Sequence, residues 1–270
     1  MMREDTIWRK IWRIIYPPIM YLLLDVIIVW LVQMLLVAWA PVAGGENSWL
    51  MRNAQTIATM VFLIISIPLL YRIFKNDFNP RSDYVIKKPW YMLLIFIMGV
   101  LASRGLSEAV SFLNLDGLLG TSYNELSKTI FSADAVLVTI QVVILAPLSE
   151  ELLFRGVIYR RIEKYLGGYW IAALISAALF GVYHFNLTQG LFAFFIGMLS
   201  SAAYYQVRNL WASIAVHMGA NTISVVLTYS GLEYSHVWMY VLEMLVTLAA
   251  AWAIYFFAIR PIGRQTTDYR

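Results

Sequence analysis

The chain has 270 residues, of which 61% are hydrophobic and only 13% are charged, with a net charge of +4. A soluble domain of this length exposes a large polar surface, so the composition excludes a soluble globular enzyme and indicates an integral membrane protein. The sequence contains no cysteine, which excludes disulfides, a thiolate nucleophile and a cysteine-bound metal site.

Eight apolar segments of about the length needed to cross a bilayer follow one another along the chain. The first follows a charged N-terminus and is too long for a signal-peptide core, so we expect it to be retained. Because lipid requires backbone hydrogen bonds to be satisfied within each segment, all eight are predicted to be helices. They lie at 15–40, 55–74, 89–113, 134–158, 169–186, 189–206, 209–229 and 237–259.

Lysine and arginine are concentrated in alternate loops, whereas the opposite loops contain only Arg52 and Lys128. This bias predicts an even number of spans and two cytoplasmic termini. We therefore expect an all-α membrane protein of the cell membrane, a single bundle of about eight transmembrane helices that fills residues 1–270. The basic residues assigned to the cytoplasmic side are Arg3, Arg9, Lys10, Arg13, Arg72, Lys75, Arg81, Lys87, Lys88, Arg155, Arg160, Arg161, Lys164, Arg208, Arg260, Arg264 and Arg270.

Several ionisable residues lie inside the predicted spans, where charge is costly and is usually paired or functional. Arg104 and Glu108 are four residues apart on one helix face, which predicts an ion pair. Asp25 and Glu243 stand alone on apolar segments, and we expect each to be a buried hydrogen-bonding residue.

The stretch LSEELLFRG, residues 148–156, places two adjacent carboxylates inside the fourth span. Glu151 and Arg155 are four residues apart and are predicted to form an ion pair. Glu150 lies about 100° further round the helix and has no cation near it in the sequence. The two carboxylates therefore lie in different environments, an arrangement that separates acid and base roles.

Two of the three histidines also lie inside spans. FGVYH ends at His184, with Phe180 one turn earlier to pack against the imidazole, and HMGAN places His217 and Asn221 on one helix face. The glycines of both motifs permit close helix approach. The rise per residue puts these polar groups and Glu150 in the central slab of the bilayer. We expect one polar chamber that opens toward the cytoplasmic half of the membrane or sideways into lipid.

EELLFRG, FGVYH and HMGAN, in this order on successive spans, resemble the motifs of the CAAX protease and bacteriocin-processing family of Rce1-like and Abi intramembrane endopeptidases. The resemblance covers residues 130–230, which we take as the catalytic core. It implies an eight-helix intramembrane endopeptidase that hydrolyses a peptide bond in a membrane-associated peptide, lipopeptide or membrane protein. The positions that it implies as catalytic are Glu150, Glu151, Arg155, His184, His217 and Asn221.

The resemblance also implies a role for each of these residues. Glu150 would be the general base that activates a water molecule, helped by His184. His217 and Asn221 would stabilise the oxyanion, and the neighbouring ion pair would orient the base and hold the helices together. Peptide hydrolysis requires an activated water and donors where negative charge develops, so a glutamate base suffices without a serine or cysteine nucleophile.

Other interpretations of the same residues remain open at this point. Two histidines and a glutamate could bind zinc, but the sequence lacks H-E-x-x-H, so we expect no cofactor and keep zinc as an alternative. A non-catalytic scaffold or bacteriocin-immunity protein of the same fold is the main alternative function. A proton-coupled transporter is a further one, although the chain shows no inverted repeat. The expected partners are the bilayer and a peptide substrate, without nucleic acid, and the oligomeric state is left open.

Overall fold

The structure, a computed structural model, describes residues 6–42, 44–45, 48–78, 90–115, 123–231 and 236–262. These residues form helices and connecting turns, with no strand among them, as predicted. Arg3, Arg81, Lys87, Lys88, Arg264 and Arg270 of the predicted basic segments lie outside them. The helices are α1 (Ile7–Trp39), α2 (Trp49–Arg52), α3 (Ala54–Asp77), α4 (Trp90–Ser111), α5 (Tyr123–Phe131), α6 (Ala135–Leu166), α7 (Tyr169–Tyr183), α8 (Leu187–Val207), α9 (Leu210–Ser230) and α10 (Val237–Ile262).

The eight predicted spans correspond one to one with helices of the structure. Seven helices of the described chain are long and apolar enough to cross a membrane, namely α1, α3, α4, α6, α8, α9 and α10. The eighth, α7, is equally apolar but has only 15 residues. The largest boundary differences are at α1, which begins at Ile7, and at α6, which continues to Leu166 instead of ending near residue 158.

Glycines mark the closest contacts between helices. Gly99 of α4 lies against the backbone of α9, and Gly219 of α9 lies against the backbone of α4. Gly181 of α7 and Gly190 of α8 face each other in the same way. A Cβ atom at any of these positions would collide with main-chain atoms of the neighbouring helix, so the role predicted for the glycines of FGVYH and HMGAN is confirmed.

Helix α6 is the irregular element at the centre of the bundle. It contains two π-helical segments, Ile140–Leu145 and Leu152–Tyr159, on either side of the α-helical turn Ala146–Glu151. Every residue of the second π segment is buried. π segments change the direction in which successive side chains point, and they are frequent at functional sites. The two glutamates that lie between them, Glu150 and Glu151, are therefore candidate functional residues.

A cluster of three charged residues, Arg104, Glu108 and Glu243, joins α4 to α10 away from the site in α6. Arg104 lies 2.5 Å from Glu108, which confirms the predicted pair, and its Nε and Nη2 also donate to Glu243 at 2.8 and 2.6 Å. The predicted hydrogen-bonding role of Glu243 is therefore confirmed, although the residue is only half-buried, and no local spacing reveals its partner because Arg104 comes from another helix. Asp25 is half-buried on α1, and its hydrogen-bonding role stays a prediction.

The two ends of the bundle differ in packing. At the end where α6 and α8 finish, called the basic end, the buried Arg161 binds Asp77 at 2.5 Å and donates to the hydroxyl of Tyr16 at 3.0 Å. In the same region Arg208 lies 3.2 Å from Glu163. The opposite end, called the α5 end, contains α5 and the turn between α7 and α8.

Candidate active site

Glu151 is the buried centre of the polar cluster in α6. Its Oε1 accepts a hydrogen bond from Arg155 Nη1 at 2.8 Å, so the predicted i,i+4 pair is confirmed, with both side chains fully buried. The same oxygen lies 3.0 Å from His217 Nδ1. Because an ionised carboxylate only accepts hydrogen bonds, Nδ1 is the donor, and the imidazole is held with Nε2 turned away from Glu151.

Arg155 occupies a space formed by α7 and α8. Its guanidinium carbon lies 4.9 Å from the centre of the Phe180 ring, a cation–π contact. A Cβ atom at Gly197 would lie 2.7 Å from Arg155 Nη2, so glycine provides the room for the guanidinium. The ion pair therefore links α6 to both following helices, as the resemblance implies for these residues.

Glu150 faces a different direction from Glu151, as its position on the helix predicts. Its Oε2 lies 3.8 Å from His217 Nε2, and the residue is 7% exposed. This distance is too long for a direct hydrogen bond but short enough for one water molecule to contact both atoms. Glu151 thus contacts Nδ1 of His217 directly, whereas Glu150 faces Nε2 of the same ring at a distance that one water molecule can bridge.

His184 lies at the C-cap of α7 and is held by aromatic rings. The Phe180 ring is 5.1 Å from the His184 ring, which confirms the predicted contact, and 5.4 Å from the His217 ring. The Tyr183 ring is 5.5 Å from His184. Phe180 therefore contacts both imidazoles and the Arg155 guanidinium, and it fixes their relative positions.

Asn221 lies one turn after His217 on α9, as the HMGAN spacing predicts. Its Nδ2 donates to the backbone carbonyl of Val142 at 2.8 Å, within the first π segment of α6. A carboxamide nitrogen carries two hydrogens, so this bond leaves a second donor. The contact with Val142 could not be predicted from the sequence, because the two residues are on different helices.

The accessible side chains of this cluster line one cavity of about 330 Å³. Glu150, His184, His217 and Asn221 all line it, whereas the Glu151–Arg155 pair is buried behind it. The structure therefore brings together all the predicted site residues, four at the cavity and two as their support. Among the described residues that line the cavity, Glu150 is the only carboxylate and none is lysine or arginine.

The cavity extends from Glu150 toward the α5 end of the bundle. Its lining includes Ser127 of α5, Gln189 in the first turn of α8 and Thr228 in the last turn of α9. Of the two predicted openings, the one toward the cytoplasmic half of the membrane, at the end with the basic loops, is therefore wrong, and the sideways opening into lipid stays a prediction. The cause is the length of α6: because the helix continues to Leu166, Glu150 lies in its middle and not near its basic end.

A buried hydroxyl group network next to Glu150 was not predicted. Ser149 Oγ lies 2.9 Å from the hydroxyl of Tyr21 on α1 and 2.6 Å from Ser66 Oγ on α3. The Tyr21 ring is 5.6 Å from the ring of Tyr183, which lines the cavity. These hydrogen bonds join the first two spans to α6. Ser149 within LSEELLFRG is the residue of this network that the motif contains, and the motif does not identify Tyr21 and Ser66 as its partners.

The arrangement does not resemble a metal centre. In the part of the chain that the structure describes, no group of three or more histidine, aspartate and glutamate side chains is placed to hold a metal ion. Glu151 Oε1 already contacts both Arg155 and His217, and Glu151 does not line the cavity, so it is not placed to bind an ion there. The expectation that no cofactor is needed stays a prediction.

The fold and this cluster define a multi-pass helical membrane protein with a glutamate–histidine site inside the bundle. Residues 132–223 match the family described as type II CAAX prenyl endopeptidase Rce1-like. The resemblance predicted from the motifs is thereby confirmed, and the matching residues 132–223 include all the predicted site residues.

Curated relatives extend the similarity to different parts of the chain. An uncharacterized 24.3 kDa protein of Escherichia coli is 33% identical over 96 residues, which cover 34% of this chain and 44% of that protein. The UPF0177 protein YbdJ of Lactococcus lactis is 24% identical over 223 residues, 81% and 94% of the two chains. A Bacillus subtilis protein named "Putative membrane peptidase YdiL" is 28% identical over 192 residues, 68% and 77%. No solved structure matches the chain significantly.

Proposed function

We propose that this protein is an intramembrane endopeptidase of the cell membrane that hydrolyses a peptide bond with a water molecule activated by Glu150. The observation that carries the proposal is the position of Glu150: its carboxylate faces a cavity inside the bundle and lies 3.8 Å from His217 Nε2, while its neighbour Glu151 is paired with Arg155. The Rce1-like match and the peptidase name of the Bacillus relative support the same class of reaction.

In the proposed reaction Glu150 is the general base. Its carboxylate takes a proton from water as the water oxygen attacks the peptide carbonyl carbon. The protonated Glu150 then gives the proton to the leaving amine when the C–N bond breaks. His184, which lines the same cavity, helps to position the water.

Asn221 and His217 stabilise the oxyanion of the tetrahedral intermediate in this proposal. Asn221 offers its second amide hydrogen, since the first is bound to the Val142 carbonyl. His217 offers a proton on Nε2, which together with the Nδ1–H bound by Glu151 requires the imidazolium form. An imidazolium bound to the Glu151 carboxylate is electrostatically favourable, and removal of one oxyanion donor typically costs ~10²–10³ in rate.

Glu151 and Arg155 are positioning residues and do not contact the substrate in this proposal. Glu151 fixes the orientation of His217 through Nδ1, and Arg155 holds the carboxylate of Glu151. Partners of this kind behind a reacting group restrict its rotation and so keep the reacting geometry in place.

Comparing Glu150→Gln with wild type tests the base assignment. Because glutamine keeps the size of the side chain but cannot take the proton, we expect cleavage to fall by ~10²–10⁴ while the protein inserts and purifies normally. Glu108→Gln is the matched control: Glu108 is also a buried glutamate inside a span, it does not line the cavity, and Arg104 keeps its contact with Glu243.

The measurement is mass-spectrometric profiling of new peptide termini in membranes that contain each variant. We expect a set of cleavage sites that is present with wild type and Glu108→Gln and absent with Glu150→Gln. Equal cleavage by Glu150→Gln and wild type would contradict the proposed function.

A further inference from the structure

The direction of the cavity relative to the membrane carries an inference about the substrate. The polar cluster at the bottom of the cavity, at Glu150, lies in the middle of the 32-residue helix α6. From there the lining runs through Ser224, which is half-buried, to Thr228, which is exposed at the α5 end. Along α9 the cavity therefore rises from the centre of the bundle to this end.

Toward the basic end the same bundle is closed. All residues of α6 from Leu152 to Tyr159 are buried, and Leu153, Phe154 and Val157 have no exposed surface. Beyond them Arg161 is tied to α3 through Asp77 and to α1 through Tyr16. Water or peptide that enters from the basic end would have to break this packed layer, so access from that end is excluded.

The charges identify which end faces the cytoplasm. At the basic end the described loops and helix ends carry many lysines and arginines, among them Arg160, Lys164 and Arg208. The described residues at the α5 end carry only Arg52 and Lys128 as basic residues. Because cytoplasmic loops of membrane proteins have an excess of lysine and arginine, the closed end is cytoplasmic and the open end is not.

We propose that the chamber opens to the non-cytoplasmic face and takes a peptide segment with uncharged side chains that is presented there after translocation. The peptidase part of this statement rests on the proposed function. The sidedness rests on the cavity and the charge distribution alone.

The lining of the chamber sets the chemistry of this segment. Among the described residues that line the cavity between the catalytic cluster and the mouth, the polar side chains are neutral, such as Ser127, Gln141 and Gln189, and the others are apolar, such as Phe131. These neutral donors and acceptors fit an extended backbone, and the apolar residues fit neutral side chains. Between the catalytic cluster and the mouth, a charged side chain of a substrate would find no partner of opposite charge among the described lining residues, and its desolvation would be uncompensated.

The absence of cysteine from the sequence allows a direct test by single-cysteine labelling. Cysteine is placed at Ser224 inside the cavity, at Thr228 at its mouth, at the exposed Lys164 of the basic end, and at the fully buried Ser213. Spheroplasts of bacteria that express each full-length variant are treated with a membrane-impermeant maleimide before and after permeabilisation.

We expect Ser224→Cys and Thr228→Cys to react in intact spheroplasts, Lys164→Cys to react only after permeabilisation, and Ser213→Cys not to react. If Ser224→Cys reacts only together with Lys164→Cys, or does not react under either condition, the inference is overturned. Reaction of Lys164→Cys in intact spheroplasts would likewise overturn the assigned orientation.

The same labelling in a Glu150→Gln background separates this inference from the proposed function, because labelling needs no catalysis. The cleavage sites that depend on Glu150 give the substrate test. They should map to non-cytoplasmic segments with uncharged residues on both sides of the cut, and sites confined to cytoplasmic segments would contradict the proposed substrate class.

Discussion

At the scale of single residues, Oε1 of Glu151 links the buried ion pair with Arg155 to the histidine of the proposed active site, His217. It contacts Arg155 Nη1 and His217 Nδ1, at 2.8 and 3.0 Å. The contact with Arg155 could be predicted, because a separation of four residues places two side chains on one helix face. The contact with His217 could not, because it depends on how α9 packs against α6, which no spacing in the sequence encodes.

This shared oxygen leads to a prediction about stability. Arg155→Met leaves the buried Glu151 without its cation, and loss of one partner of a buried pair typically costs ~3–5 kcal/mol of the free energy of unfolding. The double variant Glu151→Gln with Arg155→Met removes both charges and should regain a large part of that loss. Both variants should have low activity, because the orientation of His217 is lost.

The free energy of unfolding of the purified variants in detergent, measured by denaturant titration, checks this prediction. Glu108→Gln serves as a control for removing a buried carboxylate elsewhere in the bundle, where Arg104 retains Glu243. A double variant no more stable than Arg155→Met alone would show that the pair does not act as a charge-compensating unit.

Whether activity requires a metal ion depends on which side chains of the site are placed to bind one. Among the described residues, no group of three or more histidine, aspartate and glutamate side chains is placed to hold a metal ion, and Glu151 is paired with Arg155. We therefore predict that activity survives treatment with a strong chelator. Metal analysis of the active, treated protein should find far less than one zinc per chain, whereas activity lost with zinc and restored by it would contradict the glutamate mechanism.

At the scale of helices, the close contact of α4 with α9 positions the site. Gly99 lies against the backbone of Val216, the residue immediately before His217. An alanine there would collide with main-chain atoms, so Gly99→Ala should push α9 away from α4 and move His217 relative to the glutamates. We expect a loss of ~1–3 kcal/mol in stability together with a marked loss of activity.

Gly156→Ala is the matched control for this substitution. Gly156 is also a buried glycine in a membrane helix, but a Cβ atom there would meet its nearest neighbour, a ring carbon of Phe74, at 3.4 Å, where a small shift suffices. Its stability should stay within about 0.5 kcal/mol of wild type or rise slightly, since alanine favours helix more than glycine does. Thermal unfolding and cleavage assays of both variants would decide; equal effects would argue against a special role of the α4–α9 contact.

The positions of the helices could be predicted from the sequence, whereas the geometry within them could not. Apolar length alone located the eight segments, because crossing a bilayer requires a minimum run of apolar residues. The π segments of α6 were not predicted, since the residues of Ile140–Leu145 have no feature that distinguishes a π turn from an α turn. Arg160 and Lys164 also made the fourth span seem to end early, although the helix continues through them to Leu166.

At the scale of the whole molecule, the order of the three motifs was sufficient to predict the family resemblance and the grouping of the site residues. The direction of the cavity was not predictable in the same way. It depends on which end of the bundle is filled by side chains from non-adjacent helices, such as Arg161 and Asp77, which are 84 residues apart. Contacts over such distances in the sequence are a property of the assembled bundle.

The shortness of α7 has a consequence for the surrounding lipid. Its 15 residues span about 22 Å, whereas the hydrocarbon core of a bilayer is about 30 Å thick. We therefore expect the turn that follows, at His184, to lie below the level of the lipid headgroups on the α5 side; Val182 in the last turn of α7 and Phe185 after it are exposed and apolar, as that depth requires. We expect the bilayer to become locally thinner beside this turn, at a cost of fractions of a kcal/mol per Å. A hydrophobic segment in that leaflet would thus have the shortest path from lipid to His184 over the turn between α7 and α8.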